Sequence, residues 1–318
     1  MIEISVIIPV YNAGEHLENS LNAFVKQTIF EKLKIILVND GSTDESKEIC
    51  ESFSHKYHNF ILINKQNGGV SSARNAGLGC VDTEYVAFFD ADDYAEDTLY
   101  ETLLGYSKTY DTDISMTDFS FVKNGLEYKK RKSFESIFTD KSLALKAFLK
   151  GNTIENTLSD KLFRTEIIKN FHFDEKYIVG EDMFFTFLAL QNSKKIYINT
   201  SQTLCKYIIH NNSAMNTVFS PKFFHTIVLS EKIESLVDME LKVFARAHTI
   251  HEKTKVIRYM MLNNAGMETH KEYERLLNDI RNYPTWNAFN FLDFKQFVAV
   301  ILMKIHPKIY LTIFNKMG

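Results

Sequence analysis

The segment Phe88–Asp93 has the sequence FFDADD, in which three aspartates follow an apolar run. Two of them, Asp90 and Asp92, are separated by one residue. The end of a buried strand has little backbone freedom, so it would hold such carboxylates in a defined position. Hard divalent cations bind one or two protein carboxylates and complete their coordination with water and substrate phosphate oxygens. The spacing of Asp90 and Asp92 therefore predicts a Mg²⁺ or Mn²⁺ site that contacts a phosphate. A solvated turn is the simpler alternative, and Asp93 fits that alternative as a helix cap.

Three further polar segments follow apolar runs earlier in the chain. Pro9 ends the first run, and the backbone after a strand-ending proline can turn toward a ligand. Asp40 follows the second run, where its carboxylate would accept a hydrogen bond from a pyrimidine N–H or a ribose hydroxyl, or else bond its own turn. Residues 66–75 combine two glycines, a helix start and Arg74, which together suit an anion. The four segments predict a pocket for a nucleotide diphosphate.

Two acids, Glu181 and Asp182, begin a segment whose apolar residues predict a buried helix. Acids at a helix start favour the helix dipole, which is the purely structural interpretation. A carboxylate in that position would also serve as a general base if the helix start opens on a cavity. His210 follows an apolar run and is either a metal ligand or an ordinary loop residue.

The first hundred residues alternate between strand and helix patterns. Apolar runs at Ile4–Val10, Ile35–Val38, Phe60–Ile63 and Tyr85–Phe89 predict strands, and the segments between them carry apolar residues at helical spacing. This alternation predicts a parallel sheet covered by helices, whose ligands bind at the carboxyl ends of the strands. The four polar segments should therefore lie along one edge.

Two local patterns give finer predictions within this region. Ser42 and Glu45 have the spacing of a capping box at the start of the second helix. Small residues at Ala73, Ala76 and Gly77 predict that the third helix packs closely against the sheet.

Composition limits the classes of protein that the chain can belong to. Its 318 residues suffice for one large domain and a smaller one, and a net charge of −3 predicts no general affinity for nucleic acid. Its three cysteines lie far apart, which favours a reducing cytoplasm over a disulfide framework. The N-terminus lacks the pattern of a signal peptide, and no apolar run reaches the roughly 18 residues of a membrane span. A boundary is predicted between residues 1–217 and a helical segment, 218–318.

The motifs and their order resemble glycosyltransferase family 2. The resemblance covers roughly residues 2–215. It implies the GT-A fold, an α/β fold with a mostly parallel central sheet flanked by helices. Residues 1–217 would be the catalytic domain and 218–318 a helical C-terminal extension. The motifs that carry it are residues 5–12, 38–44, 67–77, 88–93, 159–164 and 180–182.

The resemblance also assigns roles to residues. Asp182 matches the catalytic base, with Glu181 beside it in contact with acceptor or donor sugar, and Asp92 with His210 matches the metal site. An arginine often found two residues before this histidine is Ile208 here, which removes any phosphate contact that arginine would make. The positions that match nucleotide-sugar ligands are Pro9, Val10, Tyr11, Asn12, Asp40, Asn67, Gly68, Arg74, Asp90, Ala91, Asp92 and Lys161.

The function implied is inverting, metal-dependent transfer of a hexose or N-acetylhexosamine from a UDP-sugar. The acceptor would be a hydroxyl of a cell-surface glycan or of a lipid-linked molecule, and the cofactor Mn²⁺ or Mg²⁺. A sugar-nucleotide nucleotidyltransferase is one alternative, but residues 11–16 lack the glycine-rich basic loop that holds a triphosphate. A catalytically silent UDP-sugar-binding subunit is the other, and the intact acids at 181 and 182 argue against it.

The C-terminal tail and the basic stretch 129–132 suit contact with an anionic membrane surface, where a lipid-linked acceptor would lie. The same residues fit a solvated loop and a helical packing or homodimer element equally well.

Overall fold

The structure is a computed structural model that describes residues 1–129, 132–151, 153–209, 219–263 and 270–314. The chain divides into two compact units, Met1–Lys141 with Asn156–Ser213, and Ser142–Glu155 with Ala214–Gly318. Residues 142–155 thus belong to the second unit, an interruption that the sequence pattern did not indicate. The assignment of a catalytic role to one domain and a contact role to the other stays a prediction.

Within the described ranges, ten strands of the first unit form one sheet. The strand order is β3-β2-β1-β4-β9-β6-β10-β5, with β7 paired to β6 and β8 to β10. The strands are β1 (Ile4–Val10), β2 (Leu33–Asn39), β3 (Phe60–Asn64), β4 (Tyr85–Phe88), β5 (Tyr94–Ala95), β6 (Ile114–Lys123), β7 (Leu126–Tyr128), β8 (Glu135–Phe138), β9 (Lys161–Arg164) and β10 (Ile196–Ile209).

The first four long strands agree with the sequence prediction. β3, β2, β1 and β4 pair in parallel, and the registers Val10 to Asn39 and Asn39 to Asn64 align their carboxyl ends. The remaining half is different, because β9 runs antiparallel to both β4 and β6. The α/β class is therefore confirmed, while the sheet is mixed and the expected parallel arrangement holds mainly for its first half.

Helices of the first unit pack on this sheet through apolar faces. Leu17, Leu21 and Phe24 of the first helix are completely buried in the core that the parallel strands form. These helices are α1 (Gly14–Val25), α2 (Ser46–Lys56), α3 (Val70–Leu78), α4 (Leu99–Tyr110), α6 (Thr165–Ile168) and α7 (Glu181–Asn192).

The predicted capping box at Ser42 is wrong. Helix α2 begins later, and the Asp44 carboxylate accepts hydrogen bonds from the backbone N–H of Ser46 at 3.1 Å and of Gly14 at 3.0 Å. The Ser42 hydroxyl instead accepts from the backbone N–H of Asn12 at 3.2 Å. The turns after β1 and β2 are thus bonded to each other, which fixes the edge where ligands of such sheets bind.

The second unit is helical in all the elements described. Its core includes Ile250 and Ile257, and a capping box of Asp293 and Gln296 starts one of its helices. No helix in the described residues is long and apolar enough to cross a membrane. The helices are α5 (Lys141–Leu149), α8 (Phe224–Leu236), α9 (Lys242–Leu262), α10 (His270–Asn282), α11 (Thr285–Phe291), α12 (Phe294–Ile305) and α13 (Pro307–Phe314).

Gly77 allows α3 to approach the sheet, as its small neighbours predicted. A Cβ atom at this position would lie 2.4 Å from Cγ2 of Ile7 on β1. Gly77→Ala should therefore lower the free energy of unfolding by about 1–3 kcal/mol through overpacking. Gly105→Ala on α4 is the matched control, because nothing lies within 4 Å of its Cβ position. The control should gain about 0.5–1 kcal/mol. Urea unfolding measures the free energy of unfolding of both variants. Changes of the same sign in the two variants would contradict the close packing of Gly77 against Ile7.

Candidate active site

A cavity of about 790 Å³ lies at the carboxyl ends of the parallel strands. This volume is within the range of roughly 300–1,000 Å³ typical of ligand pockets. Nine predicted ligand-binding residues line it: Pro9, Val10, Tyr11, Asn12, Asp40, Asn67, Asp90, Ala91 and Asp92. Five predicted site residues are not among the lining residues: Gly68, Arg74, Lys161, Glu181 and Asp182.

The cavity also contains residues that sequence reasoning missed. Glu15 and His16 line it from the first turn of α1, and Gly69, Val70 and Ala73 from the start of α3. Gly69, Val70 and Ala73 lie within the predicted segment 66–75, so their position was a signal. Glu15 and His16 follow the first strand end by a few residues, and no residue type there indicated a ligand contact.

Asn12 shapes the turn between β1 and α1. Its φ of 49° lies in the left-handed region, which asparagine tolerates better than most residues. Its side-chain Oδ1 accepts a hydrogen bond from the backbone N–H of Thr43 at 2.8 Å. Both turns therefore share one rigid network at the cavity edge.

Asp40 is buried and its carboxylate holds the loop that precedes α3. Its Oδ1 accepts from Lys65 Nζ at 2.6 Å and from the Gly68 backbone N–H at 3.0 Å, and its Oδ2 accepts from the Gly69 N–H at 2.7 Å. Gly69 has a φ of 87°, a conformation that favours glycine. Both carboxylate oxygens thus serve a structural purpose at a position that the family resemblance assigns to nucleotide-sugar binding.

The three acids after β4 have separate environments. Asp92 is half-buried and lines the cavity. Asp93 does not cap the following helix, because α4 starts only at Leu99. Its Oδ1 accepts from the backbone N–H of Ile208 at 3.0 Å, which ties the end of β4 to β10. Burial raises the pKa of Asp93, and the charges of Asp90 and Asp92 raise it further.

A buried guanidinium joins the cavity edge to the start of α7. Arg74 donates from Nη2 to Asp90 at 3.1 Å and from Nη1 to Glu181 at 2.9 Å, and it packs 5.3 Å from the centre of the Phe173 ring. Burial acts to lower the pKa of Arg74, but the charges of Asp90, Glu181 and Asp182 raise it on balance. Through Arg74, the predicted catalytic acids adjoin the cavity although they do not line it.

The two acids at the start of α7 are harder to ionise than ordinary carboxyls. Burial and the charge of Asp182 raise the pKa of Glu181 to about 7, although Arg74 opposes this. Burial also raises the pKa of Asp182, while Arg74 and a hydrogen bond from the backbone N–H of Met183 at 2.7 Å oppose it. Such neighbours titrate as a pair, and a pair with a pKa near neutrality suits proton transfer.

Lys161 lies outside the cavity that the other predicted residues line or adjoin. The Lys161 side chain is completely buried, and its ammonium donates to Asp160 Oδ1 at 2.6 Å and to the Thr157 carbonyl at 2.5 Å. It contributes positive charge near Asp182 without lining the cavity. His210 lies outside the described residues.

The acids after β4 fit a divalent cation in a limited way. Across the described ranges, no three His, Cys, Asp or Glu side chains are grouped to hold a metal. Asp90 and Asp92 both line the cavity, whereas the Asp90 carboxylate also accepts from Arg74 and the Asp93 carboxylate accepts from the backbone N–H of Ile208. Mg²⁺ commonly uses one protein carboxylate with waters and substrate phosphates, so this donor set fits it.

Comparison with known proteins assigns the family. Residues 5–171, more than half of the chain, match the family model described as Glycosyl transferase family 2. The chain belongs to this family. The prediction made from the motif order is therefore confirmed, and with it the expected class of enzyme, the glycosyltransferases.

Named relatives of this family 2 chain are bacterial glycosyltransferases. It is 32% identical over 302 residues to glycosyltransferase GlyA of Streptococcus pneumoniae, covering 87% of this chain and 42% of GlyA. It is 31% identical to the poly(ribitol-phosphate) beta-N-acetylglucosaminyltransferase TarP of Staphylococcus aureus, covering 71% of this chain and 70% of TarP. The chain thus spans less than half the length of GlyA.

A solved structure confirms the fold. The S. aureus TarS fragment 1–349 in complex with UDP-GlcNAc superposes with a TM-score of 0.70, covering 100% of this chain and 93% of the fragment. Sequence identity is 19%, so this similarity is evidence for the fold alone. It supports the predicted GT-A fold followed by a helical segment.

The hydrogen bonds of Asp40 lead to a stability prediction. Asp40→Asn replaces one acceptor oxygen with an NH₂ group that faces N–H donors, so unfolding free energy should fall by about 1–3 kcal/mol. Lys65→Met is the matched control, since it leaves the bonds from Gly68 and Gly69 intact and should cost less. Chemical denaturation measures both variants. An Asp40→Asn protein as stable as the wild type would show that the carboxylate does not hold this loop.

Proposed function

We propose that this protein transfers a hexose or N-acetylhexosamine from a UDP-sugar to a hydroxyl of a cell-surface glycan or lipid-linked acceptor, with inversion. One observation carries the proposal. Asp90, which lines the cavity together with Asp92, is linked through Arg74 to Glu181 at the acidic start of α7. Sugar transfer needs both groups of acids. The acids after β4 would hold a cation that neutralises the departing diphosphate, and those at the start of α7 would accept the proton of the attacking hydroxyl.

The donor is assigned to the cavity at the strand ends. Its volume suits a nucleotide sugar, and TarS binds UDP-GlcNAc in a structure of the same fold. Asp92 would hold Mn²⁺ or Mg²⁺, a cation that neutralises charge on the two phosphates of the donor. The Asn12 turn and the loop held by Asp40 would define the walls against the base and ribose.

The acceptor is assigned to the α7 side of the site. Asp182 would take the proton from the acceptor hydroxyl as its oxygen attacks the anomeric carbon, on the face opposite the UDP leaving group. Attack from that face inverts the configuration in a single displacement. Glu181 would contact the sugar or acceptor hydroxyls, and its bond to Arg74 would hold its carboxyl group in place beside Asp182.

Several finer points of the proposal come from the chain's relatives and composition. TarP is named for transfer of N-acetylglucosamine to poly(ribitol-phosphate), which favours a polyol or glycan hydroxyl as acceptor here. Cys50, Cys80 and Cys205 are free thiols, which fits a reaction in the cytoplasm. A homodimer through the C-terminal helices stays a prediction.

Product analysis separates the proposal from its two alternatives. Incubation with a UDP-sugar, Mn²⁺ and a teichoic-acid-type acceptor should release UDP and yield a glycosylated product. Release of pyrophosphate from a nucleoside triphosphate would instead identify a nucleotidyltransferase. Binding of UDP-sugars with no turnover on any acceptor would identify a silent binding subunit.

A matched pair of isosteric variants tests the two roles. Asp182→Asn should lower turnover by about 10²–10⁴-fold, because the general base is lost, while UDP affinity is kept. Asp92→Asn should abolish the gain in UDP affinity that Mn²⁺ provides, because its cation ligand is weakened. Calorimetry with and without Mn²⁺ measures affinity, and single-turnover kinetics measures transfer. Loss of UDP binding in Asp182→Asn would refute its assignment as the base.

The raised pKa values of Asp182 and Glu181 predict the pH dependence of transfer. Asp182 acts as the base only when it is ionised, and burial raises its pKa, so the acid limb of kcat/KM should lie at a higher pH than the ordinary pKa of an aspartate. Glu181→Gln removes the neighbouring negative charge and should move this acid limb down by about one pH unit. Glu166→Gln, an exposed acid on α6, is the control and should leave the limb in place. An unmoved limb in Glu181→Gln would contradict the coupling.

A further inference from the structure

The second unit exposes three large aromatic side chains on neighbouring helices. Trp286 and Phe289 on α11 are 72% and 58% exposed, and Phe294 at the start of α12 is 78% exposed. We call these three residues the aromatic patch. Contiguous exposed apolar patches mark surfaces that contact a protein, a membrane or a ligand.

The patch is continuous across the two helices. The Trp286 and Phe289 rings stack with centroids 6.2 Å apart, and Phe289 meets the edge of the half-buried Phe297 at 5.5 Å. Phe297 lies one turn after Phe294 on α12, so the two share a helix face. Lys304 donates to the Tyr283 carbonyl, which secures the other end of the helix pair.

Packing of the unit does not account for this exposure. The opposite faces of the same helices are buried in the core of the unit, including Ala288 on α11 and Ala299, Val300 and Met303 on α12. The helices are therefore already anchored without the patch. Its side chains are available for a contact outside the unit.

The charge near the patch indicates what it contacts. Residues 280–314 hold four cationic residues and one acid, Asp293, whereas the whole chain has a net charge of −3. Lys295, next to Phe294, is exposed, and Lys304 donates to the hydroxyl of Thr285, next to Trp286, at 3.2 Å. The four cationic residues are Arg281, Lys295, Lys304 and Lys308.

We propose that the aromatic patch and its surrounding lysines dock this protein on an anionic lipid surface. Tryptophan and phenylalanine enter the boundary between lipid headgroups and acyl chains, and nearby lysines bind the anionic headgroups. Docking parallel to the surface agrees with the absence of a membrane-crossing helix among the described residues. Docking would bring the active site close to a lipid-linked acceptor, and this benefit rests on the proposed function. The docking itself is independent of the proposed function.

Lys129 of the basic stretch 129–132 does not contribute to this contact. Lys129 pairs with the buried Asp118 at 2.8 Å, so its charge is used inside the first unit. Lys130 and Arg131 lie outside the described residues. The membrane contact expected from sequence is thus assigned to α11 and α12.

The chain provides its own reporter for this proposal. Trp286 is its single tryptophan, so intrinsic emission reports on the patch alone. The full chain is mixed with phosphatidylcholine vesicles that contain or lack phosphatidylglycerol, with no donor or acceptor present. The emission should shift to shorter wavelength with the anionic vesicles and return when salt screens the lysines. A failed transfer reaction would leave this result unaffected.

Variants tie the binding to the patch. Phe289→Ala and Phe294→Ala should each weaken vesicle binding by about tenfold, and Lys295→Gln by about fivefold. Met239→Ala removes an apolar side chain of the same unit that is 81% exposed, and it should bind like the wild type. Circular dichroism checks that each variant is folded. Co-sedimentation provides the affinities, including that of Trp286→Ala.

Three results would overturn the proposal. The first is an unchanged Trp286 emission with anionic vesicles. The second is equal binding by the patch variants and Met239→Ala. The third is a concentration-dependent emission shift without vesicles, accompanied by dimers in sedimentation, which would assign the patch to a second copy of the chain.

Discussion

The buried guanidinium of Arg74 organises the candidate active site. It reaches one acid 16 positions later in the chain and another 107 positions later, so it joins α3, the end of β4 and the start of α7. Burying a cation is unfavourable unless opposite charges compensate, and removing one partner of such a pair typically costs about 3–5 kcal/mol. The three elements are therefore held in one arrangement, and the acids at the start of α7 stay close to the acids after β4.

The rest of the cavity edge is built by side chains that bind backbone groups. The Asp44 carboxylate binds N–H groups after β1 and β2, the Asn12 amide oxygen binds the turn of Thr43, and Asp40 binds the two glycine N–H groups before α3. Loops without regular structure leave backbone groups that must be satisfied. Polar residues at the strand ends thus stabilise the loops by binding their backbone N–H groups, in addition to any contact with a ligand. This stabilising role is one reason for the type and spacing of these residues.

Agreement between sequence and structure differs along the chain. Strands β1 to β4 and helices α1, α3 and α4 follow the predicted pattern, because local alternation of apolar runs and helical spacing specifies a parallel arrangement. From Phe119 onward the strands are less well predicted, although the helix that begins at Glu181 and the C-terminal helices follow the prediction. There β6, β9 and β10 pair through residues far apart in sequence, β10 contains register shifts, and residues 142–155 join the other unit. Pairing at such distances leaves no periodic signal in the strands themselves.

The sequence by itself determined the edge segments, their acids and the family, because residue type and strand-end position are local properties. Only the tertiary structure decided which charges meet. It bonded Arg74 to two acids, committed Asp40 to the loop before α3, and buried Lys161 against Asp160. It also left Trp286 exposed on α11, a position that helical spacing alone did not distinguish. Long-range ion pairs and surface exposure depend on how helices and strands pack together. That packing involves residues from several segments, so the pattern of one segment does not predict it.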